Sequence, residues 1–196
     1  MIHTNQKIRI GIDLDDVLLD FNRALCVFHN KNYKTNLHIE DITQWELWNI
    51  WNCSRDEAIQ RVLDFYHSPE HRAGLPVFGA QAAIAHLAQR YELFVITSKP
   101  DFLEQYTKKW LCTHFGNNFA GLVFTNDFSN KKKLKSEICN ELNISIFIDD
   151  APTHIIDLHT SGKKVFVFDR PWNQIDIPSE TTRVFSWDDI VNKLIL

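Results

Sequence analysis

Residues 8–18 read Ile8-Arg9-Ile10-Gly11-Ile12-Asp13-Leu14-Asp15-Asp16-Val17-Leu18, a β-branched run that ends abruptly in acids. The stretch from Ile8 to Leu14 has the nearly continuous apolar character of a strand buried on both faces of a parallel sheet. In extended backbone, residues i and i+2 point the same way, so Asp13 and Asp15 are expected to face one space beyond the strand. Open α/β sheets bind their ligands at that edge, outside the carboxyl ends of the strands.

Four further runs of the same kind follow: Leu93 to Thr97, Leu122 to Thr125, Ile144 to Ile148 and Lys164 to Phe168. Helical spacing fills the later gaps, with Ile84, Leu87, Ala88 and Tyr91 on one face and Leu134, Ile138 and Leu142 on another. Gly162, after Ile155 and Leu158, reads as a helix stop, and Ser186 with Asp189 opens a final helix. The expected fold is α/β, a Rossmann-like parallel sheet of about five strands flanked by helices, with right-handed crossovers.

One interval breaks the alternation. Between the first strand and Leu93 the chain reads helical, with Leu18, Phe21, Leu25 and Phe28 on one face and a capping box at Ser54-Arg55-Asp56-Glu57. A small helical cap inserted after the first strand is therefore expected, giving a core of residues 1–20 and 79–196 and a cap of residues 21–78. Trp45, Trp48 and Trp51 fall at i, i+3, i+6 within it. They form either an aromatic core stripe or a stripe with at least one ring turned to a ligand.

A chain of 196 residues, 44% apolar and 23% charged, is long enough for one sizeable core with an insert. Its net charge of −4 excludes the basic footprint of a duplex nucleic-acid binder. The N-terminus lacks a signal-peptide apolar core and no run approaches the ~18 residues of a membrane span, so a soluble, cytoplasmic protein is expected. The four cysteines lie far apart without a Cys-x-x-Cys pair and are read as reduced packing residues. Self-association is left open by the sequence.

The chemistry should lie where strand ends converge. The second strand ends in Thr97-Ser98-Lys99, bringing hydroxyls and backbone N–H groups to the edge, and the fourth ends in Asp149-Asp150. Two acidic clusters at one edge repel unless a cation intervenes, and an all-oxygen donor set suits Mg²⁺. Phosphoryl chemistry also needs a fixed cation, which Lys131-Lys132-Lys133-Leu134-Lys135 can supply, through Lys135 or else Lys133. Gly74-Leu75-Pro76-Val77-Phe78-Gly79 has P-loop glycine spacing but is followed by Ala80-Gln81 instead of Lys-Ser/Thr, and is set aside. His67 and His71 are four apart but separated by Pro69, which breaks the helix that would align them as zinc ligands.

Taken in order, Asp13-Leu14-Asp15-Asp16-Val17-Leu18, the strand ending at Thr97, a lysine and Asp149-Asp150 resemble the four motifs of the haloacid dehalogenase superfamily of phosphohydrolases. Within it, Asp15 to Phe21, the insert, Gly79-Ala80, Thr97-Ser98 and Phe168-Asp169-Arg170-Pro171-Trp172-Asn173 are similar to the 5'(3')-deoxyribonucleotidase group and its bacterial relatives. The resemblance spans roughly residues 8 to 190. It implies an aspartyl-phosphate formed on Asp13, with Asp15 protonating the leaving oxygen and then activating water. It also implies Mg²⁺ on the Asp13 carboxylate, the Asp15 carbonyl and Asp150, with Asp149 adjacent. Thr97, the Ser98 backbone and Lys135 would hold the phosphoryl group, Phe21 would lie under a nucleobase, and Trp45 is the second candidate for that contact. The implied substrate is a small phosphomonoester, foremost a 5'-nucleotide or deoxynucleotide.

Two positions depart from the pattern. Asp16 stands where Gly is frequent, which adds a negative charge near the metal and stiffens the loop, and Phe78 replaces a Pro before Gly79-Ala80. The alternatives are a generic metabolite phosphatase and a catalytically silent nucleotide-binding module. A signalling receiver domain is disfavoured because it places its phosphorylated Asp mid-chain and carries no such insert.

Overall fold

The computed structural model describes residues 7–126, 133–175 and 177–195. Their strands are β1 (Arg9–Ile12), β2 (Glu92–Thr97), β3 (Gly121–Phe124), β4 (Ile146–Asp149), β5 (Lys164–Phe168) and β6 (Thr182–Val184). All pair in parallel, in the order β3-β2-β1-β4-β5-β6. The sheet has six strands where about five were expected. The extra one is the edge strand β6, three residues long with only Val184 buried, too short and too polar to carry a periodic signal.

Helices α1 (Phe21–Tyr33), α2 (Leu47–Ile50), α3 (Arg55–Tyr66) and α4 (Pro69–Arg72) lie between β1 and β2. After them come α5 (Ala80–Leu87), α6 (Glu104–Phe115), α7 (Lys135–Glu141), α8 (Pro152–Thr160) and α9 (Trp187–Ile195). Alternate strand residues face two helical layers. Ile10, Ile12, Leu93, Val95 and Phe166 pack with Ile84 and Leu87 of α5, Trp110 of α6 and Trp187 and Ile190 of α9. Phe94, Ile96, Phe147, Val165 and Val167 pack with Ile138 of α7 and Ile155 and Leu158 of α8. This alternation is why the strands read as unbroken apolar runs.

The central strand carries one residue dictated by a close approach. A Cβ at Gly11 would come within 2.4 Å of the Phe147 ring on the neighbouring β4, so this position takes only glycine if that ring stays in place. The strand end beside it is thereby held close to the end of β4.

The helices between β1 and β2 pack on one another through Leu25, Phe28 and Phe65, the last two rings 5.5 Å apart. Ser54 caps α3 as its sequence pattern requires, accepting from Glu57 N at 3.1 Å. Trp51 is buried against His29, ring centroids 4.5 Å apart, and Trp48 is partly buried, so two of the three tryptophans are core. Arg61 Nη1 donates to His29 Nε2 at 2.9 Å, which leaves His29 Nδ1 to donate to Thr35 Oγ1 at 2.8 Å. The chain enters and leaves this helical segment at one crossing. There Asp20 N donates to Leu75 O and Val77 N to Leu18 O, at 2.9 and 2.8 Å. The P-loop-like stretch at 74–79 is this return linker.

All four cysteines are free. Among the described residues no helix is long and apolar enough to cross a membrane.

Candidate active site

Strand β1 stops at Ile12, but Asp13 N still donates to Ile148 O at 2.9 Å and keeps the chain extended for one more residue. The backbone then coils tightly, with the N–H groups of Leu18 and Leu19 both donating to Leu14 O at 2.9 and 2.8 Å. Asp16 sits at φ 57, in the left-handed region, which explains why glycine suits the position and why aspartate, more tolerant than most residues, replaces it. Its carboxylate accepts from Asn22 N at 3.0 Å and Asn22 Nδ2 at 2.8 Å, so it ties down the start of α1, where Asp20 makes no side-chain cap. The carboxyl turns toward α1 yet its charge still acts on Asp150, and burial pushes it up to about 8. Arg170 Nε and Nη2 clasp Asp16 O at 2.9 and 2.5 Å, and Trp187 Nε1 of α9 donates to Val17 O at 2.9 Å.

Lys135 opens α7 and is buried with its ammonium turned back to the sheet edge. Its Nζ lies 2.7 Å from Asp13 Oδ1 and 2.8 Å from Asp149 Oδ2. Lys133 instead pairs with Glu141 on the surface at 2.9 Å, and Lys131 and Lys132 lie outside the described residues. Asp149 Oδ1 also accepts from the N–H groups of Asp150 and Ala151 at 2.9 and 3.0 Å. Asp150 is anchored by Trp172 Nε1 on Oδ2, 2.7 Å, and by Asn173 Nδ2 on its carbonyl, 2.9 Å. The segment after β5 thus braces both acidic loops.

The cluster has the donors of a hard metal centre. Asp13, Asp149 and Asp150, all buried, each bring a carboxylate oxygen to within 4.8 Å of the others, and Asp150 Oδ1 is buried with no hydrogen-bond partner. Burial raises Asp13 to about 6 against the pull of Lys135, with Asp149 and Asp15 adding to the rise. Burial and the neighbouring acids lift Asp150 well above the usual range. Burial acts the same way on Asp149, but the charges and hydrogen bonds of Lys135 and His154 together outweigh it and hold that group low. Carboxylates so crowded gain from a bound cation, and the oxygen donors present fit a divalent one.

The remaining expected groups surround this cluster. Thr97 is buried at the end of β2. Ser98 Oγ lies 3.3 Å from His154 Nε2 in the first turns of α8, and His154 Nδ1 lies 3.6 Å from Asp149 Oδ1. Trp45 is 47% exposed and sets its ring edge-on to His154, centroids 6.5 Å apart. Phe21 is buried among Phe65, Tyr66 and His71. The Asp15 carboxyl stands apart from the three clustered acids and forms an ion pair with Lys99, Oδ1 to Nζ 2.9 Å, and burial raises it against that attraction.

Lys99 and His154 are additions that the sequence reading missed. The lysine's signal was its place directly after Thr97-Ser98 on a strand end, and the histidine's was a position one turn into the helix after Asp149-Asp150. The two histidines set aside as metal ligands do pack apart: His67 stacks on Phe102, while His71 is enclosed by Phe65, Tyr66 and Tyr106.

One known family matches nearly the whole chain, and the fold recurs among solved structures. The family described as "5' nucleotidase, deoxy (Pyrimidine), cytosolic type C protein" matches residues 6–196. "Putative nucleotidase OB0422" of Oceanobacillus iheyensis is 24% identical over 162 residues, covering 80% of this chain and 84% of its own. Among solved structures, the haloacid dehalogenase-like hydrolase SP0104 of Streptococcus pneumoniae superposes with a TM-score of 0.73 at 15% identity, covering 96% of this chain and 98% of its own. YfnB of Bacillus subtilis, a "putative HAD-hydrolase" bound to magnesium and showing interdomain movement, gives 0.66 at 18% identity, covering 97% and 100%.

Proposed function

The chain belongs to the 5' nucleotidase, deoxy (Pyrimidine), cytosolic type C family, phosphatases of the haloacid dehalogenase superfamily, and we propose that it is a Mg²⁺-dependent 5'-nucleotidase or deoxyribonucleotidase. The observation that carries the proposal is the position of Lys135 Nζ between Asp13 and Asp149, beside three carboxylate oxygens gathered within 4.8 Å. A substrate phosphoryl group needs that combination of nucleophile, fixed cation and metal donors.

Asp13 is the nucleophile. One of its carboxylate oxygens forms a bond to phosphorus as the ester P–O bond breaks, and the carboxyl of Asp15 gives its proton to the departing oxygen. Asp15, now a carboxylate, takes a proton from water as the water oxygen attacks phosphorus, releasing phosphate and restoring Asp13. Lys135 offsets charge on the phosphoryl oxygens, and Thr97 Oγ1 and the Ser98 N–H hold them. Asp13, Asp150, the Asp15 carbonyl and, beside them, Asp149 are the groups that would hold Mg²⁺, which when bound neutralises phosphoryl charge.

Residues 21–78 act as the cap over this edge, with 1–20 and 79–196 as the core. Support comes from the single paired crossing at which the segment departs and returns. Trp45, exposed beside His154, is the ring best placed to meet a nucleobase, because Phe21 is already enclosed. A phosphate-release screen over nucleoside monophosphates, sugar phosphates and p-nitrophenyl phosphate, with and without Mg²⁺, tests the proposal. Preference for a sugar phosphate over every nucleotide would overturn the nucleotidase assignment.

A further inference from the structure

Lys99 is a second buried lysine at the sheet edge. Its side chain is 1% exposed, and its Nζ lies 2.9 Å from Asp15 Oδ1, 4.5 Å from the centre of the Phe21 ring and 4.8 Å from that of Tyr66. Charge attraction is the larger part of what joins Lys99 Nζ to Asp15 Oδ1, ahead of any hydrogen bond between them. Removing one member of a buried pair leaves the other uncompensated, so the two side chains hold each other in place. The ring faces attract the ammonium through their quadrupoles without offering it a competing carboxylate. The four residues come from separate elements: Asp15 from the turn after β1, Lys99 from the loop after β2, Phe21 from α1 and Tyr66 from α3. The two buried lysines thus divide the site between them, Lys135 on Asp13 and Lys99 on Asp15.

We infer that Lys99 is a positioning residue for Asp15, holding that carboxyl against the leaving oxygen, and that Phe21 and Tyr66 fix Lys99 from the helical segment. The inference rests on the assignment of Asp15 as acid and base. Lys99 exchanges no proton in this role. Its contribution is placement, and a displacement of about 1 Å can cost on the order of 10²-fold in rate.

The test uses two esters of nearly equal size, p-nitrophenyl phosphate and phenyl phosphate, assayed by kcat/KM. Nitrophenolate leaves with little help from an acid, whereas phenolate depends on one. Lys99→Met keeps the apolar stem against the rings and removes the charge. It should lose roughly ten-fold or more extra on phenyl phosphate than on the nitrophenyl ester, a part of the ~10²- to 10⁴-fold that acid–base groups supply. Asp15→Asn should show the same bias, and adding Lys99→Met to it should cost nothing further on phenyl phosphate. Equal losses of Lys99→Met on both esters, with the bias intact in Asp15→Asn, would overturn the inference alone. Absence of the bias in Asp15→Asn would overturn the acid assignment and the inference with it. Circular dichroism establishes that the variant folds. If Lys99→Met does not fold, Tyr66→Leu carries the test, with a smaller bias of the same sign expected and none overturning it.

Discussion

Trp172 Nε1 donates a 2.7 Å hydrogen bond to Asp150 Oδ2, and so determines which oxygen of that carboxylate is left to face a ligand. The other oxygen, Oδ1, is buried and unbonded among the acidic side chains. An indole at the far end of β5 therefore sets the orientation of a group at the end of β4.

Metal dependence follows from that arrangement. EDTA should abolish phosphate release, Mg²⁺ should restore it, and Ca²⁺ should substitute poorly because it favours more ligands at longer distances. Trp172→Phe keeps the ring and deletes the donor, and should raise the Mg²⁺ concentration for half-activation by ~10- to 100-fold, as loss of an orienting partner does elsewhere. Full activity in excess EDTA would refute the site.

Asp13→Asn should remove turnover while leaving the fold intact. An amide oxygen is too weak a nucleophile to form the acyl phosphate, and the buried contact with Lys135 can survive as a hydrogen bond from the ammonium to the amide oxygen. Residual activity above about one part in a hundred would rule out the covalent route, since even single acid–base groups contribute ~10² to 10⁴-fold.

Trp45→Ala and Phe21→Ala should separate base contact from internal support. Stacking of a base on an aromatic ring is worth ~1 to 3 kcal/mol, so Trp45→Ala should lower kcat/KM for a nucleoside monophosphate by roughly 5- to 150-fold and spare p-nitrophenyl phosphate. Phe21→Ala should depress both substrates, because the ring lies under Lys99. The reverse pattern would move the base to Phe21.

The share of stability that depends on His29 should be lost in acid before the imidazole titrates in the folded state, against the opposite trend of the raised Asp13 and Asp16 carboxyls. Burial, with the nearby Arg61 charge, lowers His29 to about 4, against about 6.5 for an unperturbed imidazole. Because the unfolded chain takes up the proton first, this share is complete above pH ~6.5 and declines as pH falls toward ~4, by up to ~1.4 kcal/mol per pH unit. His71, lowered to about 3 chiefly by burial, adds a decline of the same sign. Thermal melts of the parent and of His29→Gln, compared between pH ~7.5 and ~4, isolate this share: the substitution should make stability fall less, or rise more, toward acid. An unchanged slope would mean that His29 is not the group responsible.

The sequence carried the parallel sheet, the helical insert and the acidic strand ends, because each depends on spacing along a single run of residues. It also carried the choice between Lys133 and Lys135 as open alternatives, and the helix start at Lys135 settles the geometry by turning that side chain toward Asp13. What it could not carry were pairings across distant segments. Lys99 looked like part of a strand-end loop until Phe21 and Tyr66 were seen around it, and Arg170, Trp172 and Asn173 were only a matching hexapeptide until their bonds to Asp16 and Asp150 appeared. The left-handed backbone of Asp16 and its bonds to Asn22 are likewise invisible in a one-letter string.

The bond from Trp187 Nε1 to Val17 O has a consequence for the order of synthesis. Domains tend to fold as units while the ribosome is still adding residues, but here the turn after β1 is secured by a helix that emerges 170 residues later. A nascent chain paused before Trp187 would already display every carboxylate and lysine of the site, yet its opening turn would lack that tether. Catalytic competence would then be acquired in a single late step, and ribosome-bound chains stalled before α9 should release no phosphate, whereas chains extended past it by an inert linker should.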